Sequence, residues 1–218
     1  SKSDRTTNSN SYGIYNNSGT IEVSGGTINN SDSSYEYGIY NRNGTVEITG
    51  GEVSSSGYGY IYGIYNAENG IIKLEGGIVS SSSTNGSSYG IYNGDSGIID
   101  VIGGTVNSNR NGIYNYGGTV QIEGGTVNSS RNEIYNYGGG TVEIEGGIVN
   151  SNTVGIYNYN GNIIIGNKTN EIAQNNPIIK AEYSGASSDN IQGNGIYNKS
   201  GTIEFYNGLI QGYINAIV

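Results

Sequence analysis

The tripeptide Ile-Tyr-Asn returns eight times in a chain of 218 residues, with its Ile at 14, 39, 64, 91, 113, 134, 156 and 196. Successive copies lie 25, 25, 27, 22, 21, 22 and 40 residues apart. Each copy opens a unit that reads Gly-Ile-Tyr-Asn, a short turn, a run such as Gly-Thr-Val-Glu-Ile, a Gly pair, a run such as Thr-Val-Asn-Ser, and a variable segment. Repetition at this period points to a solenoid, in which stacking of neighbouring units supplies the core that one unit cannot build alone.

The runs within a unit are strand-like. They are rich in Ile, Val, Thr and Tyr, they alternate with a period of two, and no apolar stripe at helical spacing interrupts them. Alternation predicts which side chains face inward. In the second run these are Ile21/Val23, Val46/Ile48, Ile72/Leu74, Ile99/Val101, Val120/Ile122 and Val142/Ile144; in the third they are Ile28, Val53, Val79, Val106, Val127 and Val149. For Gly-Ile-Tyr-Asn the choice rests on Glu133, which replaces the Gly of one copy. An unpaired Glu is expected outside, so Ile134 is expected inside and Tyr135 outside. The Asn at 16, 41, 66, 93, 115, 136, 158 and 198 then turns inward. There it tolerates a left-handed turn and can bond amide to amide between units. The Gly pairs from Gly25-Gly26 to Gly146-Gly147 mark the next corner, where positive φ is permitted.

Composition removes several function classes. The chain has no His and no Cys, so neither the usual zinc, copper and iron sites nor Ser-His-Asp and Cys-His catalysis can be assembled. A net charge of −9 with nine scattered basic residues gives no footprint for nucleic acid and disfavours anionic membranes. No apolar run approaches the length of a membrane-spanning helix. The opening residues carry no leader pattern, which reads as a mature form or an excised piece.

Three short strands in a unit of 21–27 residues resemble the right-handed parallel β-helix, the pectin lyase-like fold also found in repetitive bacterial cell-surface adhesin and stalk proteins. The resemblance covers nearly the whole chain. It implies a single all-β domain over 1–218 with about eight to nine coils, a polar lead at 1–11 and an enlarged coil at 166–195. It also implies an extracellular or cell-surface location. The final stretch from Gly208 to Val218 begins a further coil and stops on apolar residues. The expectation there is a truncated end, or one capped by a partner through end-to-end self-association. Polygalacturonase-like enzymes of the fold carry clustered Asp with a nearby His, and pectate lyase-like ones carry calcium-binding Asp with Arg or Lys. Neither constellation is found, so the resemblance implies a non-catalytic module. The alternative is a polysaccharide-processing lyase or glycosidase, or its inactive relative, working through paired carboxylates.

Candidate sites lie where the repeat varies. The segments 31–37, 56–62 and 82–89 are long in the early units and read as loops that stack side by side. They carry Tyr35, Tyr37, Tyr58, Tyr60, Tyr62 and Tyr89. Tyr set among Ser and Gly makes an adaptable recognition surface for a glycan or a host or cell-surface protein. The other reading has these segments shield the coil edge, with Tyr37, Tyr62 and Tyr89 partly packed beneath. A second candidate is the row Tyr15, Tyr40, Tyr65, Tyr92, Tyr114, Tyr135, Tyr157 and Tyr197, an outward aromatic face that also stabilises the sheet. Glu123, Glu143 and Glu145 form the densest carboxylate group, where calcium could bind, although a solvated acidic face is the simpler reading. No other cofactor is implied. The insert at 166–195 holds the single Pro177, and Ile178-Ile179 within it is expected to restore the third strand.

Overall fold

The computed structural model describes residues 10–31, 34–168, 177–182 and 192–218. It is all-β, a parallel solenoid of eight three-stranded coils, the three-sheet topology of a right-handed parallel β-helix. Coil 1 consists of Asn10–Asn16, Thr20–Val23 and Thr27–Ser31. Coil 8 consists of Asn194–Asn198, Thr202–Phe205 and Leu209–Gly212, and a last strand, Asn215–Ile217, comes after it. The first strands of the coils form sheet A, the second strands sheet B and the third strands sheet C, all paired in parallel. Most of the expected lead at 1–11, and the insert residues 169–176 and 183–191, lie outside the described residues.

The interior is aliphatic and continuous. Ile39, Val46, Ile48 and Val53 of coil 2 are fully buried, and so are Ile134, Val142, Ile144 and Val149 of coil 6. Register holds like against like: Ile14 pairs with Ile39, which pairs with Ile64. The insert does not disturb it, because Ile178–Ala181 returns to sheet C with Ile179 against Val149. Each buried branched side chain contributes roughly 1.5–3 kcal/mol relative to exposure. Because the wall of each coil is its neighbour, that gain exists only in the stack.

At one corner the Asn column forms an unbroken ladder. Each Nδ2 donates to Oδ1 of the next coil, from Asn16 to Asn41 at 2.9 Å through to Asn158 to Asn198 at 2.7 Å. The same Nδ2 also donates to a Gly carbonyl of its own coil, as Asn93 does to Gly97 at 2.8 Å. These Asn residues are not left-handed as expected; among the described residues Glu68 alone has positive φ without being Gly. The ladder itself sets the local need for Gly. A Cβ at Gly70 would run into the Asn66 side chain. At the other corner the second Gly of each pair supplies positive φ, as Gly51 does at 77°.

Two further expectations are corrected. The segments before Ile-Tyr-Asn in coils 2–4 are not free loops. Sheet C lengthens to Glu52–Gly57 and Ile78–Ser83, and sheet A to Tyr35–Asn41, Tyr60–Asn66 and Ser87–Asn93. The two sheets thus extend as paired arms, joined by tight turns at 58–59 and 84–86, with Ile61 fully buried between them. Glu133 is not outside either. Sheet pairing skips the position of this residue in the coil, going from Asn132 to Ile134, and alternation breaks there. Glu133 and Ile134 are therefore both fully buried, while Tyr135 faces outward as expected.

Candidate functional site

The outer face of sheet A is clad in tyrosine. The first column runs Tyr15, Tyr40, Tyr65, Tyr92, Tyr114, Tyr135 and Tyr157, with successive centroids 4.7 to 5.2 Å apart and ring planes within 12° of parallel. Tyr197 continues it at 5.0 Å with a 40° tilt. A second column, Tyr12, Tyr37, Tyr62 and Tyr89, is spaced at 5.0 to 5.1 Å. Tyr35 and Tyr60 start a third, 5.6 Å apart. The first two columns meet edge to face, as between Tyr62 and Tyr65 at 5.0 Å and 81°. That geometry suits the ring quadrupole.

The six segment tyrosines therefore play different parts. Tyr37 and Tyr62 are buried at the centre of the wall and Tyr89 ends their column. Tyr58 and Tyr60 are about half exposed, at 45% and 46%. Burial, assisted by neighbouring tyrosines, pushes the Tyr37 phenol up to about 12, and Tyr62 is raised further for the same reasons. In the first column burial, then Tyr157, raises Tyr135 to about 12. These three phenols consequently stay protonated, as hydroxyl donors and acceptors, throughout the physiological range.

Stacking has a cost for recognition. Inside a column each ring covers the faces of its neighbours and presents mainly its edge, whereas a sugar ring docks on a face. The internal end of a column is the place where a face is released. Tyr89 is such an end: its partner in the next coil is Asn111, succeeded in register by Asn132, Val154 and Asn194. The volume a tyrosine would fill is vacated there. A depression of about 250 Å³ results, lined by Tyr89, Arg110, Asn111, Tyr114, Arg131 and Asn132, with Tyr135 beside them. A second of about 180 Å³ adjoins it, sharing Arg131, Asn132 and Tyr135 and reaching Val154, Tyr157 and Gln192.

The polar groups of this groove are held by the coils. Asn132 Nδ2 donates to Asn111 Oδ1 at 3.3 Å. Arg110 and Arg131 lie on adjacent coils, the Arg131 N–H donating to the Arg110 carbonyl at 3.1 Å. Arg110 Nη1 reaches Ser87 Oγ at 2.9 Å. Among the described residues the ion pairs are Arg42–Glu68 and Lys73–Glu47, and neither groove arginine belongs to one. None of Arg110, Arg131, Asn111 and Asn132 stood out in the sequence as a site residue. The available signal was the Arg-Asn step repeated in 110–111 and 131–132 at the point where the segments shorten.

The carboxylates are spread rather than convergent. Glu123, Glu143 and Glu145 line an open depression of about 120 Å³ with Gln121 and Ile122. No group of three acidic side chains among the described residues is placed to hold a metal ion. Lys73 Nζ contacts Glu47 at 3.0 Å and offsets charge within its row. Among the described residues two carboxyl side chains, those of Glu36 and Glu133, are fully buried. Glu133 lies in the shorter coils. Its Oε1 accepts the Ser129 N–H at 2.7 Å, and its Oε2 has no hydrogen-bond partner. Burial raises it well above the usual carboxylate range, against weaker opposing pulls from Ser151 and Ser129.

Comparison with protein-family models, curated proteins and solved structures gives no match for the chain.

Proposed function

We propose that this chain is a non-catalytic surface module, the adhesin or stalk portion of a secreted bacterial protein, and that it binds glycan on the outer face of sheet A. The observation that carries this reading is the tyrosine wall. Tyrosine occupies the outward face of one sheet in every coil, whereas sheets B and C present Thr, Glu, Asn and Ser at most of the corresponding positions. Tyrosine combines a rigid apolar ring with a hydroxyl handle, so it gives contact area at low conformational cost. The solenoid serves as a stiff rod that holds this face at a fixed spacing. The lack of His and Cys leaves carboxylates as the main acid–base groups, and these are distributed along regular rows.

The test is a glycan array probed with the full chain, with product analysis of every ligand found. Retention of intact oligosaccharides is expected. Shortened products would replace this reading with the polysaccharide-processing one. An array with no ligand above background would remove glycan as the partner class.

A further inference from the structure

We infer that the groove at the end of the second tyrosine column is a subsite for a single acidic sugar, one bearing a carboxylate or sulfate on an otherwise neutral glycan. The inference deepens the glycan-binding reading and rests on it.

Three features converge there. Tyr89 carries Tyr62 stacked on one side and, in the next coil, only the edge-to-face contact of Tyr114 at 5.3 Å, so the parallel ring that continues the column elsewhere is missing and part of a face is left for a pyranose. Asn111 and Asn132 floor the groove with amides that can exchange hydrogen bonds with sugar hydroxyls. Arg110 and Arg131 flank it from adjacent coils without a carboxylate partner among the described residues. Two such arginines on adjacent coils are unusual in a chain of net charge −9 with only nine basic residues. Like charges on neighbouring strands repel, and an anion bound in the groove offsets that. A guanidinium presents a planar fork of donors that matches a carboxylate or sulfate, and such charge-assisted bonds are about twice as strong as neutral ones.

The surroundings restrict the ligand further. The acidic rows, such as Glu22 with Glu47, lie on sheet B, and the face beside the groove is tyrosine. A uniformly charged polyanion would gain only at two arginines and meet the repulsion of a net charge of −9 along its whole length. A neutral chain with one acidic residue meets no such penalty.

The test is titration of the full chain with three matched oligosaccharides: neutral, singly carboxylated and singly sulfated. A polyuronate and an acidic peptide serve as further arms. The singly acidic sugars are expected to bind at least tenfold more tightly than the neutral parent, with a preference between carboxylate and sulfate identifying the acid. Arg131→Gln, at an exposed side chain, is expected to bring the acidic-over-neutral preference below about twofold. Arg131→Lys should restore only part of it, because the ammonium lacks the fork. Equal affinity for neutral and acidic sugars would overturn the inference and leave the glycan reading standing. Tightest binding of the polyuronate, or of the peptide, would overturn the single-acid assignment. Failure of all the sugars would overturn both readings.

Discussion

Coils 2–4 and coils 5–7 share one interior and differ outside. In both regions Ile and Asn repeat in register along sheet A and Val along sheet C. In coils 2–4 the sheets carry extended arms and a second column of rings packs beside the first. In coils 5–7 the arms are gone, Asn or Val takes the place of that ring, and a looser column of Tyr116, Tyr137 and Tyr159 follows the first instead. The difference separates two uses of tyrosine. In the early coils it is chiefly structural, an external core laid on the sheet. Where that core ends, ring faces and arginines become available, so a boundary between regions, rather than either region, makes the candidate site.

The sharpest way to break this comparison is to remove one ring from each region. Tyr62→Ala empties a buried site with rings on several sides and is expected to cost about 3–5 kcal/mol. Tyr135→Ala removes a half-buried ring stacked between Tyr114 and Tyr157, with Asn132 where the early coils have a packed second ring, and should cost roughly 1–2 kcal/mol. Urea unfolding of the two variants measures both; equal losses would mean that the double column adds nothing. The interior should show the opposite behaviour. Asn66→Ala and Asn136→Ala each strand ladder partners that are buried in the same way, and each is expected to cost about 2 kcal/mol in the same assay. A large difference between them would show that the ladder is not uniform.

The smallest effect concerns Glu133. Its folded-state proton affinity is raised, so the folded chain holds more protons than the unfolded chain at pH above the ordinary Glu range. Stability should therefore fall as pH rises from that range toward the folded value. Glu133→Gln is expected to flatten this slope and to gain roughly 1 kcal/mol at alkaline pH. Thermal midpoints from pH 4 to 9 check it; an unchanged slope would locate the titration elsewhere.

The solenoid was legible because a period of two, repeated with Gly corners, leaves one inward assignment for Ile21, Val23 and Ile28 and their counterparts. The same rule misplaced Glu133, since alternation assumes continuous pairing and the strand is irregular at that residue. It led to the right side for Ile134 and Tyr135 from a premise about Glu133 that does not hold. The extended arms were hidden because Ser and Gly read as loop wherever their partner strand is unknown, and only the pairing of Ser56 with Ser82 and of Tyr37 with Tyr62 reveals them as sheet. The groove was hidden for a different reason. It arises because Asn111 takes the place of Tyr89 one coil later, a relation between positions 22 residues apart in which neither residue is unusual alone.

The Asn ladder also gives the rod a direction. Donation to the Gly carbonyl of its own coil fixes which way each amide points, so Nδ2 faces the C-terminal neighbour in every step from Asn16 to Asn158. Seven amide dipoles therefore align along the axis in one sense. A coil added to the stack would meet a donor at one end and an acceptor at the other. Growth of such a file is head to tail by electrostatics, before any side chain on the surface is consulted.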